Sequence, residues 1–161
     1  ARHCGVEHVI GGAAHEVADA VRALTGGKGA RTAVDAVGDV RVVTQAAQLT
    51  ENHGEVIILG SPRASVQADL NQALRPIHYR WVTFKGALEW RIPREPAPPH
   101  RTSTRGNLET IYDLIQRGKL HVEPLISHRM PAERIKDAYE GLLNRKDEYT
   151  GVVLEWAGTR P

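Results

Sequence analysis

The sequence is poor in cysteine and contains no long apolar segment. Cys4 is the only cysteine among the 161 residues, so no disulfide can form within the chain, and a reducing compartment is favoured. No apolar run reaches the length of a membrane span, and no signal peptide is apparent. These absences predict a cytoplasmic protein that does not bind a membrane.

A concentration of one charge is also missing. The formal net charge is only +2 and the basic residues are dispersed among acidic ones, so nothing indicates a nucleic-acid-binding protein. His3, Cys4 and His8 lie close together, but a structural zinc site needs a fourth ligand. No Gly-x-Ser-x-Gly elbow surrounds Ser61, and no spacing pairs that serine with His53. We therefore expect neither a metal site nor a catalytic nucleophile in this chain.

The sequence does contain two short apolar runs that are each closed by glycine, at residues 31–38 and 54–62. Both are rich in β-branched residues and too short for helices, which indicates strands buried on both faces. Between them, apolar residues recur at helical spacing from Val40 to Ala47, and Asp39 can cap the start of that helix. A strand–helix–strand unit of this kind predicts two parallel strands joined by a right-handed crossover.

The carboxyl ends of these strands are the predicted ligand-binding edge, because open parallel sheets bind ligands there. Gly38 and Gly60 are expected to leave that edge open, since a ligand can approach glycine backbone closely. Asp35 has two interpretations: its carboxylate faces a cofactor ribose, or it accepts hydrogen bonds from the following loop. We favour the loop, because short carboxylates commonly satisfy loop N–H groups. The candidate binding residues at the two strand ends are Ala36, Val37 and Gly38, and Leu59, Gly60 and Ser61.

The remaining segments alternate between strand and helix patterns. Residues 25–29 are glycine-rich, but they follow a helix rather than a strand, which predicts a helix end and not a phosphate loop. The predicted elements are a strand at 8–10, a helix over 17–24, an irregular stretch over 63–80 with a helical turn at 70–74, a strand at 81–90, a proline-rich surface loop over 92–105, a helix over 108–115, an extended segment at 120–126, a helix over 135–142 and a strand at 151–156.

The order and spacing of these segments resemble the C-terminal portion of the medium-chain dehydrogenase/reductase family, which includes the zinc-dependent alcohol dehydrogenases. The segments that carry the resemblance are Gly5–Ile10, Ala33–Gly38, Gly54–Pro62, Phe84–Ala87, Gly118–Leu120, Pro124–His128, Ala138–Tyr139 and Gly151–Leu154. The resemblance implies an α/β fold with a partial Rossmann-like, doubly wound parallel sheet. It assigns residues 1–118 to the distal part of a dinucleotide-binding domain, without its first two strands, and residues 119–161 to a segment that returns to the catalytic domain.

In this family the sheet order is 3-2-1-4-5-6, and the chain supplies strands three to six. We expect strands four, five and six to be parallel neighbours over 31–36, 55–59 and 82–87, with residues 8–10 short, peripheral or displaced. The free flank of strand four, residues 32–35, then needs a neighbour, because unpaired buried backbone groups cost about 1–3 kcal/mol each. Upstream residues, another chain or residues 8–10 are the three candidates.

The resemblance also implies an NAD(P)-dependent oxidoreductase that transfers hydride between an alcohol or carbonyl substrate and nicotinamide. The family's G-x-G-x-x-G phosphate fingerprint and its zinc ligands do not occur in this sequence, and residues 1–5 look like the end of a helix, so we expect a fragment. NAD or NADP, and zinc in the missing N-terminal domain, then belong to the intact enzyme. The implied cofactor-binding residues are Ala36, Val37, Gly38, Leu59, Gly60, Ser61, Ala87, Leu88 and Glu89, with backbone groups of Leu59, Ala87 and Glu89 meeting the carboxamide.

Aromatic residues are concentrated in the predicted sixth strand, at Trp81, Phe84 and Trp90. That strand lies at the sheet edge in the family and pairs across a dimer axis, so we expect a homo-oligomer formed through Val82–Trp90. The alternative from a different functional class is a stand-alone, non-enzymatic nucleotide-binding or dimerisation module.

The chain by itself is predicted to have no dehydrogenase activity, because it carries neither the phosphate fingerprint nor a set of zinc ligands. A spectrophotometric assay of the purified 161-residue chain with NAD and simple alcohols should show no NADH formation. Measurable NAD reduction would overturn this expectation.

Overall fold

The computed structural model describes residues 1–98 and 100–156. Its contacts divide the chain into two compact units. We call Ile10–Thr104 the sheet unit, and residues 1–9 together with the chain from Arg105 onward the C-terminal unit. This division rests on contacts within the chain, and the family-based boundary between residues 118 and 119 stays a prediction.

Strands and helices alternate in the sheet unit. In chain order they are α1 (Ala14–Leu24), β1 (Ala30–Asp35), α2 (Val40–Leu49), β2 (Thr50–Ile58), α3 (Asn71–Arg80) and β3 (Thr83–Gly86), followed by a 3₁₀ turn over Glu89–Arg91. The strands form one parallel sheet in the order β1-β2-β3. This confirms the α/β class and the predicted order, with the second apolar run between its two neighbours.

The three strands end level with one another at the carboxyl edge. Asp35 is paired with Ile58, and Ile58 is paired with Gly86. The loops that follow these residues therefore start from the same edge, which is where a ligand site is expected in an open parallel sheet.

Helix α2 begins where the sequence predicts. The Asp39 side chain accepts a hydrogen bond from the backbone N–H of Arg41 at 2.8 Å. Hydrogen bonds from the Arg41 guanidinium and backbone lower the pKa of Asp39 to about 2. The carboxylate is therefore ionised at neutral pH, which suits the positive end of a helix dipole.

The core of the sheet unit is small and consists of apolar side chains from α2, β2 and the residue before β3. Val43, Ala47, Val56 and Val82 are buried, and Ala46, Ile58 and Phe84 pack against them. The apolar positions of α2 recur on one face, so helical spacing in the sequence places them against the sheet.

The predicted strand at residues 8–10 is wrong. No strand forms there, and Val9 and Ile10 are exposed. A strand needs a neighbour for its backbone groups, and within the described residues β1 pairs only with β2. Residues 8–10 therefore add no strand to the sheet, and Val34 in β1 is 55% exposed.

The lengths of the two other strands differ from prediction. β2 begins at Thr50, and the pairing shifts from Ala30–Thr50 to Thr32–Glu55 across a bulge. His53 lies within this bulge with a positive φ of 60°, which alternation of apolar residues cannot reveal. β3 covers only Thr83–Gly86, because the chain leaves the sheet at its carboxyl edge instead of continuing to residue 90.

Helix α3 is longer than the single turn predicted at residues 70–74. Pro76 lies inside it and is buried, and proline within a helical pattern argues against a helix from sequence alone. The helix ends at Trp81, whose φ is 55°. Arg80 then donates hydrogen bonds to the carbonyl oxygens of Ala47 and Thr50, both at 2.5 Å. Carbonyl groups at the end of a helix have no partner within that helix. The Arg80 side chain of α3 therefore supplies hydrogen bonds to the C-terminal end of α2.

Among its described residues, the C-terminal unit contains two parallel strands and two helices. They are α4 (Thr104–Gln116), β4 (His128–Pro131), α5 (Ile135–Asn144) and β5 (Val152–Glu155), with 3₁₀ turns at Arg2–Cys4, Glu123–Leu125 and Ala132–Arg134. Its core is Met130, Ala138 and Tyr149. The Tyr149 ring stacks on His128 at a centroid distance of 3.8 Å. His128 is therefore a packing residue, as its position near a turn predicts.

Among the residues that the structure describes, none of the helices combines the length and the apolar character needed to cross a bilayer.

Candidate functional site

Asp35 fixes the geometry of the carboxyl edge. It is completely buried, and its carboxylate accepts hydrogen bonds from the N–H groups of Val37 at 2.9 Å and Gly38 at 3.2 Å. Its carbonyl oxygen accepts from the N–H groups of Leu59 at 2.9 Å and Gly60 at 2.8 Å. The carboxylate thus satisfies the following loop, which confirms the favoured interpretation of Asp35.

The two glycines at this edge are in contact with opposing backbone. A Cβ built on Gly60 would lie 2.1 Å from the backbone nitrogen of Gly38, and one on Gly38 would lie 2.3 Å from the carbonyl oxygen of Ser61. Gly38 also has a φ of 81°. The expected reason for these glycines is therefore wrong: they let the two turns pack on each other, instead of leaving the strand ends open.

A cavity of about 810 Å³ lies where β2 and β3 end. It brings together two of the three predicted groups, which are Leu59, Gly60 and Ser61, and Ala87, Leu88 and Glu89. The third group, Ala36, Val37 and Gly38, does not line it. The loop after β3 is held to the sheet because the N–H of Ala87 donates to the carbonyl oxygen of Ile58 at 3.1 Å.

Four polar residues in the cavity wall were missed by the sequence reasoning: Lys85, Arg91, His100 and Thr102. Lys85 lies in β3, and the other three belong to the irregular segment that follows it. That segment is proline-rich and has no periodicity, so its sequence does not indicate which residues return to the sheet edge. One feature of the sequence does indicate a polar residue at this site: the basic Lys85 directly precedes Gly86 at the end of a predicted strand.

The segment after β3 is shaped by backbone hydrogen bonds. The N–H of Arg91 donates to the carbonyl oxygen of Leu88 at 3.1 Å, and the N–H of Thr104 donates to the carbonyl oxygen of Pro93 at 2.9 Å. These bonds close the 3₁₀ turn and join the start and end of the loop. These hydrogen bonds therefore fix the backbone positions of the residues in this segment that line the cavity.

A second cavity, of about 480 Å³, lies at the opposite edge of the sheet, where β1 and β2 begin. Arg22, Lys28 and Arg80 contribute to its wall, but Arg80 already donates to carbonyl groups at the end of α2. Open α/β sheets bind ligands at the carboxyl edge, so we place the candidate site in the larger cavity.

Within residues 1–98 and 100–156, no group of three or more His, Cys, Asp or Glu side chains is arranged to hold a metal ion. The described residues therefore do not fit zinc. The carboxyl-edge cavity joins apolar walls with a small number of polar groups, as small-molecule sites do.

The three-stranded parallel sheet, with helices between its strands, is typical of part of a Rossmann-type fold. A statistical description of the zinc-binding dehydrogenase family matches residues 1–95, and the chain belongs to this family. This confirms the resemblance drawn from the sequence.

Individual relatives agree with this assignment. The chain is 23% identical over 158 residues to an L-threonine 3-dehydrogenase of Rhizobium etli, a match that covers 97% of this chain and 40% of the relative. The chain thus spans about two fifths of the length of that relative.

Solved structures agree on the fold. An alcohol dehydrogenase of Thermotoga maritima superimposes with a TM-score of 0.67 at 22% identity, covering 90% of this chain and 35% of that structure. An NAD-dependent alcohol dehydrogenase superimposes with a TM-score of 0.62 at 25% identity, covering 86% and 34% respectively. The chain therefore shares the fold of about one third of each of these two structures.

Replacing Asp35 with alanine is predicted to destabilise the sheet unit by about 1–3 kcal/mol, because the N–H groups of Val37 and Gly38 lose their acceptor. Urea unfolding gives the free energy of unfolding for comparison with the parent chain. The matched control is Asp19→Ala, which removes an exposed aspartate of the same unit and should change stability by less than about 0.5 kcal/mol. Equal effects of the two substitutions would contradict this role for Asp35.

Proposed function

We propose that this chain holds the nicotinamide end of an NAD(P) cofactor, as part of an alcohol dehydrogenase-like oxidoreductase that transfers hydride between an alcohol and nicotinamide. One observation carries the proposal: the cavity at the carboxyl edge joins residues 59–61 with residues 87–89. These two groups lie far apart in sequence, and the resemblance to the family selects both of them.

The backbone limits how the carboxamide can be held. A primary amide offers both donors and an acceptor. The N–H groups of Leu59 and Ala87 already donate to Asp35 and Ile58, so those two residues can offer only carbonyl oxygens. We therefore assign these carbonyl oxygens as acceptors for the carboxamide NH₂. The donor to the carboxamide oxygen is then the backbone N–H of Glu89 or a hydroxyl group of Ser61 or Thr102, all of which line the same cavity.

The bound cofactor would supply the hydride acceptor for the alcohol. The contribution of this chain is to hold the nicotinamide and to orient it against the sheet edge. Catalytic zinc has no fitting residues in the described part of this chain, so we place any such ion on other residues of the intact protein. A cytoplasmic location stays a prediction, and the predicted cofactor is NAD or NADP without a choice between them.

Gly86 is the position at which the cofactor site can be tested without disturbing the fold. A Cβ on Gly86 would have no heavy atom within 4 Å, whereas one on Gly60 would collide with backbone. Gly86→Val is therefore predicted to fill the cavity and weaken NADH binding by about tenfold or more, which corresponds to at least about 1.4 kcal/mol. Isothermal titration of the 161-residue chain with NADH measures the change.

The matched control is Gly11→Val, which also adds a side chain in open space but does not line the cavity. Its NADH affinity should equal that of the parent chain. If the Gly86 variant binds NADH as tightly as the control, the site has been placed wrongly. If the parent chain does not bind NADH at all, the non-enzymatic dimerisation module becomes the better interpretation.

We also propose that the chain self-associates through the Val82–Trp90 segment. β3 is the last strand in the sheet order, and an unpaired strand edge favours pairing with another chain. Val82 is buried in the core of its own sheet unit, but Trp81 is 71% and Trp90 is 84% exposed. The aromatic surface offered to a partner therefore comes from the tryptophans that flank β3.

Trp90→Ser is predicted to shift the chain from dimer toward monomer, because it removes the larger exposed aromatic area at this edge. Sedimentation velocity over a range of concentrations reports the change. Tyr139→Ser, which removes another exposed aromatic residue outside the Val82–Trp90 segment, should leave the distribution unchanged. A parent chain that is monomeric at high concentration would refute the proposal.

A further inference from the structure

The cavity at the carboxyl edge carries more positive than negative charge. Among the described residues that line it, Lys85 and Arg91 are basic and Glu89 alone is acidic. His100 contributes an imidazole to the same wall. Two basic side chains thus share the wall with one acidic side chain. A neutral alcohol and a nicotinamide ring give no reason for this excess.

Arg91 makes no ion pair that occupies its guanidinium within the described part of the chain, although Glu89 is only two residues away. Other arginines behave differently: Arg41 pairs with Asp39, and Arg117 donates to Asp113 at 2.8 Å. Lys85 and His100 are likewise without a side-chain partner among residues 1–98 and 100–156. The cationic groups of the cavity are therefore available to a ligand.

The backbone that presents these groups is well held. Arg91 closes the 3₁₀ turn over Glu89–Arg91, and the N–H of Ile92 donates to the carbonyl oxygen of Glu89 at 2.9 Å. The N–H of His100 donates to the carbonyl oxygen of Ala97, also at 2.9 Å. A held backbone reduces the ordering cost of binding, and a cavity of about 810 Å³ is of a size that suits a ligand larger than a nicotinamide ring.

We propose that Arg91, assisted by Lys85 and His100, binds an anionic group, a carboxylate or a phosphate, next to the nicotinamide position. A guanidinium is the side chain best suited to this task, because its planar donors match both groups in a bidentate manner. The position of the anion next to a nicotinamide rests on the proposed function. The binding of an anion by Arg91 does not. The anion has two possible sources: the phosphate of the cofactor, or a carboxylate of the substrate.

Four titrations of the 161-residue chain, followed by NMR chemical shifts, separate these sources. The probes are nicotinamide riboside, nicotinamide mononucleotide, malonate alone, and malonate in the presence of saturating nicotinamide mononucleotide. Each is repeated with Arg91→Ala, with Arg91→Lys and with Arg94→Ala. Arg94 is the matched control, because it is an exposed arginine of the same segment that does not line the cavity.

We expect Arg91→Ala to weaken anion binding by about tenfold or more, as loss of a hydrogen bond to a charged group does. Arg91→Lys should recover part of the affinity, and Arg94→Ala should match the parent chain. If the mononucleotide binds more tightly than the riboside only when Arg91 is present, the source is the cofactor phosphate. If malonate binds alongside the mononucleotide and depends on Arg91, the source is a substrate carboxylate.

The remaining outcomes distinguish this inference from the proposed function. Binding of the riboside, with no anion effect that depends on Arg91, overturns the inference and leaves the nicotinamide site in place. Malonate binding that depends on Arg91, without binding of the riboside, supports the inference and contradicts the nicotinamide site. If none of the probes binds, or if Arg94→Ala weakens binding as much as Arg91→Ala, the inference is overturned.

Discussion

The geometry of the candidate site depends on the buried aspartate at the end of β1. Asp35 accepts hydrogen bonds through its carboxylate from the loop that follows it, and through its carbonyl oxygen from the N–H groups of Leu59 and Gly60. One residue thus fixes two adjacent strand ends. A buried carboxylate without hydrogen-bond partners is costly, so these hydrogen bonds restrict the backbone at this edge of the sheet. The residues that line the neighbouring cavity are therefore held in fixed positions.

Close packing of the two turns follows from the same arrangement. Gly38 and Gly60 approach so closely that neither could carry a side chain, and the loop after β3 is tied to Ile58 by the N–H of Ala87. Because the loop after β1 packs against the loop after β2, the carboxyl end of β1 is not open to a ligand. The ligand-accessible surface lies farther along the sheet, between β2 and β3, where an open position at Gly86 adjoins basic and hydroxyl-bearing side chains.

The chain carries only part of the family's architecture, and its surface reflects this. It spans about two fifths of the length of the Rhizobium etli relative, and its three-stranded sheet has a partner for β1 on one side only among the described residues. Large apolar side chains such as Val34, Val37 and Leu59 are more than half exposed. Such exposure of apolar residues near a strand edge is typical of surfaces that other protein segments cover.

The sequence by itself determined the parallel βαβ unit, the cap of α2, the strand order and the family, because these depend on local spacing and on the order of short motifs. It also selected residues 59–61 and 87–89, which the fold brings to one cavity. The tertiary structure alone decided the rest. Whether residues 8–10 form a strand depends on a neighbouring strand. Helix α3 continues through the buried Pro76 and contacts α2 and β2. Arg91 and His100 reach the cavity from an aperiodic loop. Contacts between residues distant in sequence leave no periodic signal, so only the folded chain reveals them.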